Sequence, residues 1–516
     1  MPEKYQVLRW KCIRYLHPAK LAAICEGSNE VESLFGQQRK VLSTFGLLCG
    51  PTLPAMLSLL HKISVRNFLI FSFCLLSAFL YLDGNWRKSR FPIQMDANGY
   101  YVYLPAIFIY QDLEHLGFVN QMPEQFDRKY FLYPSARGGY MTKYSPGVAI
   151  LEAPFFLVAH ALAPALGYEA SGYSPPYRLA VAIAGLFYSC LGIWILSLVL
   201  ARYFRHETVL LTAALLLFGT MFLFYILFQP ALTHNFVFVA LALELWFLER
   251  WIRSQSITDL FGAGACTGFA TLIRPTEVLI GLVLLGYVLA LRPKGKNLFA
   301  YLISQIGPLL GAAAGFVLFI LPVFAYWKYA TGNWVAYTYS DEGFYFDRPW
   351  QIWYGLFGFR KGWFIYTPML FLAAWGMWGL VKSQQFRPFV QGLLWYLPFN
   401  LFIVLSWYGW WYGGCFGNRA LVPALALAAY PLAWLLENSR KPLLTYALAG
   451  FFVLLNAFQS FQYQRQILHM DGMTWRAYFY IFGKWQLKPE EKAHLQTLLD
   501  LPDYGERGKK LDEYFK

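Results

Sequence analysis

Charge is scarce in this sequence. Only 14% of its 516 residues are Asp, Glu, Lys or Arg, roughly half of the ~25% usual in a soluble globular domain. That shortage excludes a disordered chain and argues against an ordinary cytosolic enzyme. Acidic residues are scarcer than basic ones: 29 Asp and Glu stand against 43 Lys and Arg, a net charge of +14. Cysteine is sparse and scattered, seven residues with no C-x-x-C pair, which argues against a zinc ribbon and a disulfide framework. Walker A, G-x-G-x-x-G, H-E-x-x-H and G-x-S-x-G patterns are absent, so nothing supports a cytoplasmic nucleotide site. The first forty residues are polar and basic, and no cleavable signal peptide is expected at Met1. No internal repeat stands out.

Apolar residues fill the space. The chain is 58% hydrophobic and 20% aromatic, with a mean hydropathy of +0.39. Its length alone would suggest about three soluble domains. Its composition instead implies one all-α polytopic membrane domain. The basic excess then belongs in cytoplasmic loops, so the expected partner is membrane lipid and not nucleic acid.

A helix needs about 20 mainly apolar residues to cross the hydrocarbon core. Phe68 to Leu82 is the first strong run, with Lys62 and Arg66 before it. Basic residues at one end of each run place that end in the cytoplasm. Leu179 to Ala201 returns to Arg202 and Arg205, Val209 to Phe228 goes out, and Asn235 to Leu248 returns to Arg250 and Arg253. Leu260 to Leu291 has basic flanks on both sides and reads as a hairpin of two short helices with Arg274-Pro275 at its turn. Five further runs alternate up to Phe461. The count is about eleven spans. Gly147 to Leu166, broken by Pro154 and Pro164, reads as a helix lying on the outer leaflet. The expected organisation is a cytoplasmic segment 1–66, a transmembrane domain 67–461 with outer loops 85–178, 325–366 and 408–419, and a short outer tail 462–516, in which Leu487 to Leu501 looks helical with Pro489 near its start. Residues 41–60 form a further apolar stretch interrupted by Pro51 and Pro54, and Met56 offers an alternative start.

The outer loops collect the unusual polar residues. Asp96 follows the first span closely and precedes Tyr100, Tyr101 and Tyr103. A carboxylate there is placed to deprotonate a hydroxyl, and equally to cap the helix that follows. Lys143-Tyr144-Ser145-Pro146 stands at a turn before an apolar helix, where a lysine holds a phosphate or snorkels to headgroups. Arg274, deep in an apolar hairpin, is a functional candidate by default, with Glu277 or Glu244 as the alternative structural partner. His234 sits at an outer turn, as a substrate or proton-relay residue or as a structural histidine. Asp341-Glu342 and Arg360-Lys361 lie in an aromatic-rich loop that meets substrate or simply solvent. Trp407 to Arg419 combines Trp, Tyr and Gly with a terminal arginine, which suits a stacked sugar and a phosphate or an interfacial aromatic belt.

These pieces, in this order, resemble the GT-C superfamily of membrane glycosyltransferases, and most closely the protein O-mannosyltransferases and lipid A aminoarabinose transferases. Met95 to Ala106 is similar to the family's first-loop acidic motif, with one Asp96 where many members have an Asp-Glu pair. Lys143 to Gly147 resembles its Lys- or His-Pro-Pro turn, and Arg178-Leu179 the Arg-Leu pair that opens the next helix. Arg274-Pro275 resembles its basic-proline hairpin, and His234 falls where many members carry an Asp. The likeness covers roughly residues 68–461. It implies a polyprenyl-phosphate-sugar donor, a glycan, lipid or protein acceptor, and catalysis at the outer face of the plasma (inner) membrane. It implies Asp96 as general base. It places Lys143, Arg274 and Arg419 near the donor phosphate; Tyr144, Arg178, His234, Glu342, Arg360 and Lys361 are the further substrate-binding candidates. No resident metal set is visible, although a carboxylate and a phosphate are able to share a divalent ion. The competing reading is a transporter or flippase of a lipid-linked saccharide; polar residues gathered in outer loops rather than at midplane favour the enzyme.

Overall fold

Where the sequence runs apolar, the chain is helical. The computed structural model describes residues 63–88, 91–121, 131–135, 137–339 and 342–502. The expectations for the segment before residue 63, the 41–60 stretch, Asp341 and the last fourteen residues lie outside the described residues. The first long helix, α1 (Val65–Asp83), is capped by Ser64, whose hydroxyl accepts from Asn67 N at 3.1 Å. It buries Leu69, Ser72, Leu76 and Leu80 on one face and leaves Phe71, Leu75 and Leu82 exposed. Spacing of three and four makes the inner stripe; the outer apolar face suits hydrocarbon.

Five helices are long and apolar enough to cross a membrane, and a bent pair brings the number to six. The chain is thus a multi-pass membrane protein. Fewer helices pass this test than the eleven runs would suggest, for visible reasons. Several apolar helices are short: α3 (Gly147–Leu162), α8 (Ile257–Ile273) and α11 (Met369–Leu380). The run Val209 to Phe228 is not one straight span. It breaks into α5 (His206–Phe218) and α6 (Phe222–Phe228), bent by 55°. Gly219 and Thr220 make the break: the Thr220 hydroxyl donates to Leu216 O at 2.7 Å and accepts from Phe222 N at 3.2 Å. A side chain that offers the backbone a local partner competes with the helix there.

Two helices form the buried frame, α4 (Pro175–Leu200) and α7 (Thr233–Ser254). α4 opens on two prolines, which suit a first turn whose N–H groups have no helical partner. α8 packs along α10 (Ile306–Thr331) at very close range. Gly264 and Gly268 of α8 face the backbone of Ala312 and Phe316, and Gly315 of α10 faces that of Phe261. A methyl group at any of the three would collide with main chain, so small residues set this crossing. α9 (Gly281–Ala290) packs on α12 (Arg387–Leu405), and α11 packs on α13 (Leu425–Asn438).

One feature departs from the all-helical expectation. A hairpin of β1 (Leu132–Pro134) and β2 (Tyr140–Thr142) pairs antiparallel in the first loop, Leu132 opposite Thr142. The tail is folded and helical. After α14 (Pro442–Gln464) it forms α15 (Trp475–Ile481) and α16 (Pro489–Leu498). Gln459 and Gln462 of α14 hold it by donating to the Tyr478 hydroxyl at 2.7 Å and to Ile481 O at 2.8 Å.

Candidate active site

The β hairpin delivers Lys143 and Tyr144. Thr142 Oγ1 donates to Gly99 O at 2.8 Å, and Lys143 N donates to Phe131 O at 3.0 Å. The first bond lashes the end of β2 to the short helix α2 (Asp96–Tyr101), and the second closes the hairpin beside β1. Tyr144 then stacks on Tyr100, with ring centroids 4.2 Å apart. Gly99 makes this possible, since a Cβ there would overlap the Tyr144 ring.

Asp96 is the first residue of α2, and Met95 takes the N-cap position without a side-chain bond. The carboxylate does not cap the helix. Tyr144 donates its hydroxyl to Oδ1 at 2.6 Å, and Arg419 donates Nη2 to Oδ2 at 2.8 Å. The carboxylate retains 27% of its accessibility and the guanidinium 18%, so the pair lines a surface open to small molecules. Burial pushes the Asp96 carboxyl up, but Arg419, Lys143 and the Tyr144 hydroxyl together hold it below the ordinary aspartate range. Burial and the facing Asp96 carboxylate push the Tyr144 phenol well up, so it stays a donor.

The other predicted cations divide into two groups. Lys143 pairs with Glu342 at 3.1 Å and lies 5.0 Å and 5.8 Å from the Tyr144 and Tyr339 ring centres. Arg274 ends α8, donates to the Tyr412 hydroxyl at 3.0 Å and lies 3.7 Å from the buried Glu277 carboxylate. Its charge bears on Tyr100 and Tyr339, as that of Asp96 does. The charges of Arg274 and Arg419 both bear on the buried His234 ring, whose Nδ1 has no hydrogen-bond partner. Asp96, Lys143, Tyr144, Glu342, Arg274, His234 and Arg419 therefore share one neighbourhood. Arg178 is half-buried in the first turn of α4.

Arg360 and Lys361 point elsewhere. Arg360 pairs with Asp500 of the tail at 2.6 Å. Lys361 is 1% exposed, lies 3.3 Å from Asp471 and donates to Cys415 O and Met470 O. Asp471 in turn accepts from Gly414 N at 2.9 Å. This buried pair anchors the loop that ends in Arg419. Tyr339, which connects Lys143 to Arg274, carried no signal in the sequence; Tyr412 was visible only as one member of an aromatic cluster.

Among the described residues, no group of three or more His, Cys, Asp or Glu side chains is placed to hold a metal. The surroundings of Asp96 do not fit a resident cation. Both its oxygens accept from protein donors, and the nearby charges are positive.

Residues 176–327 match the family model of the dolichyl-phosphate-mannose-protein mannosyltransferases, the group to which the sequence resemblance pointed. The match spans α4 to α10 and holds Arg178, His234 and Arg274. A search of curated proteins found no match. Among solved structures, the Archaeoglobus fulgidus oligosaccharyltransferase in its apo form is 13% identical, with a TM-score of 0.44 over 84% of this chain and 60% of that one. The same organism's oligosaccharyltransferase AglB, in complex with an inhibitory peptide and a dolichol-phosphate, is 12% identical, with a TM-score of 0.42 over 85% and 60%. The complex of the Archaeoglobus enzyme with Zn and sulfate is 15% identical, with a TM-score of 0.42 over 85% and 57%. The chain spans about three fifths of the length of these structures.

Proposed function

We propose that this protein is a membrane glycosyltransferase that moves a sugar from a polyprenyl-phosphate donor to a hydroxyl or amide acceptor at the outer face of the plasma membrane. The observation that carries the reading is the Asp96 carboxylate, held between Tyr144 and Arg419 beside Lys143. One carboxylate facing several cations is what a proton transfer next to a departing phosphate requires.

In the reaction, the acceptor oxygen or nitrogen bonds to the anomeric carbon. The anomeric C–O bond breaks, and its electron pair leaves with the lipid phosphate. The acceptor proton passes to Asp96. Lys143, Arg274 and Arg419 stabilise the charge that develops on the phosphate. With Arg419 on Oδ2 the carboxylate is a poor base, because the cation favours its ionised form. A donor phosphate that draws Arg419 away frees Oδ2 and raises the Asp96 pKa. The base is thus strengthened when the leaving group arrives. Glu342 holds Lys143, and His234 lies where Arg274 and Arg419 both act. The basic flanks of the apolar runs support an outside location for the Asp96 end. The model match over residues 176–327 supports a lipid-phosphate-linked donor.

The test is Asp96→Asn, assayed for sugar transfer and for donor binding in the same preparation. Asn keeps the size of the side chain and removes the base. Transfer should fall by about 10²–10⁴-fold while donor binding persists. Full transfer by the variant would remove Asp96 from the mechanism, and transport of uncleaved donor across the bilayer would point to a flippase.

A further inference from the structure

The opposite end of the bundle carries a cationic cavity. α4 is 26 residues long, which at 1.5 Å per residue separates its two ends by about 39 Å. Its first turns lie beside the Asp96 loop. Just past its last turn stands Arg202. The last turns of α7 bring Arg250, Arg253 and Ser254 to the same place, and the first turn of α8 brings Asp259. Together these five residues line an open cavity of about 310 Å³.

The carboxylates at this end are already engaged. Asp259 lies 3.0 Å from Arg250 Nε and accepts from the Ser254 hydroxyl at 2.5 Å. Glu249, 2% exposed, accepts from the hydroxyls of Tyr203, Tyr287 (3.0 Å) and Tyr430 (3.1 Å). Among the described residues, no carboxylate lies within ion-pair distance of Arg202 or Arg253. Both arginines line the cavity. Arg202 Nη1 is buried without a hydrogen-bond partner. A buried guanidinium N–H with no acceptor is costly, and three arginines against one carboxylate leave the cavity short of negative charge.

We propose that this cavity binds a phosphate group. Guanidinium forks match phosphate oxygens in pairs, and basic pockets between transmembrane helices take anionic headgroups. A cavity at the far end of a membrane-spanning helix lies at headgroup depth. The phosphate is therefore that of an anionic lipid of this leaflet, or a soluble phosphate that reaches the same cradle. The site is independent of the transfer chemistry at Asp96.

The full chain in nanodiscs of mixed phosphatidylcholine and phosphatidylglycerol tests the site, with retained lipid weighed by native mass spectrometry. Wild type should retain phosphatidylglycerol in excess, and R202Q/R253Q should lose about tenfold of that preference. R205Q is the control, because Arg205 is exposed and paired with Glu437 at 3.4 Å; it should retain the preference. A second arm titrates inorganic phosphate onto protein in phosphatidylcholine discs. Phosphate binding that is lost in R202Q/R253Q, without any lipid preference in wild type, assigns the cavity to a soluble phosphate. R253Q alone, at an exposed position, guards against misfolding and should weaken either ligand. If neither ligand responds to the Arg202 and Arg253 substitutions, or R205Q does equal damage, the proposal fails.

Discussion

Arg419 donates to Asp96 Oδ2 at 2.8 Å across 323 positions of sequence. The other oxygen of that carboxylate accepts from Tyr144 at 2.6 Å. Two donors from distant loops thus meet on one acid, which is held ionised and held still. Neither neighbour is passive. Arg419 lowers the basicity of Asp96 and is itself a cation suited to a phosphate, so the same contact that restrains the proposed base in the resting state offers a route to releasing it.

This coupling has a pH signature. On the proposed mechanism Asp96 must be deprotonated to act as base, and its resting pKa is lowered, with Arg419 as the strongest of the lowering influences. Activity should therefore survive acidification until the pH falls through a value below the ordinary aspartate range. That limb belongs to kcat/KM, which reports the free enzyme. The acidic limb of kcat should lie at higher pH, because the bound donor has drawn Arg419 away. In Arg419→Gln the kcat/KM limb should move up in pH. Superimposable limbs for kcat and kcat/KM in wild type would show that Arg419 does not leave Asp96.

Tyr144→Phe should weaken transfer by about tenfold, since one hydrogen bond to a charged group is worth about 1.5–3 kcal/mol. The ring still stacks on Tyr100, so the loop should keep its shape. Gly99→Ala is the more damaging change. Its Cβ would overlap the Tyr144 ring and approach Phe131 Cβ to 2.6 Å, displacing the hydroxyl as well as the ring. Rates measured at saturating donor separate the two: Gly99→Ala should lose more than Tyr144→Phe, and the reverse order would show that Tyr144 is not positioned by this packing.

Arg274 donates to the Tyr412 hydroxyl and keeps a second arm 3.7 Å from the Glu277 carboxylate, a two-armed placement for which a lysine lacks the planar fork. Arg274→Lys should raise the KM for donor by about tenfold or more, with a smaller effect on kcat. Steady-state kinetics with a fixed acceptor check this. A change confined to kcat would place Arg274 away from the phosphate.

Part of this site was legible in the sequence. Arg274 beside Glu277 is an i, i+3 pair, and an arginine in an apolar hairpin announces itself by its cost. The hairpin with Arg274-Pro275 at its turn, the helix at Gly147 and the tail helix that opens at Pro489 all follow from local pattern. The Asp96–Arg419 contact does not, because no periodicity links residues so far apart. Nor does the bend at Gly219-Thr220, because hydropathy runs through it without interruption. Arg360 and Lys361 show the limit best. As neighbours in one loop they suggested one role, yet adjacent residues leave a turn in different directions. One meets Asp500 at the surface; the other is buried against Asp471.

That divergence makes a direct comparison of two ion pairs. Asp500 is 74% exposed, and a pair so open to water contributes about 0–1 kcal/mol. Arg360→Gln should leave thermal unfolding in detergent almost unchanged. Lys361→Met strands the Asp471 carboxylate in a site where it is 6% exposed, and breaking a buried pair costs about 3–5 kcal/mol. Its unfolding temperature should fall clearly. Replacing both partners, Lys361→Met with Asp471→Leu, removes the stranded charge and should recover part of the loss. Transfer adds an independent readout. Lys361 holds Cys415 O, and Asp471 holds Gly414 N, four and five residues before Arg419. The double variant should therefore remain slow in transfer even where stability returns, because Arg419 has lost its anchor. Recovery of stability and transfer together would show that this pair supports the fold alone.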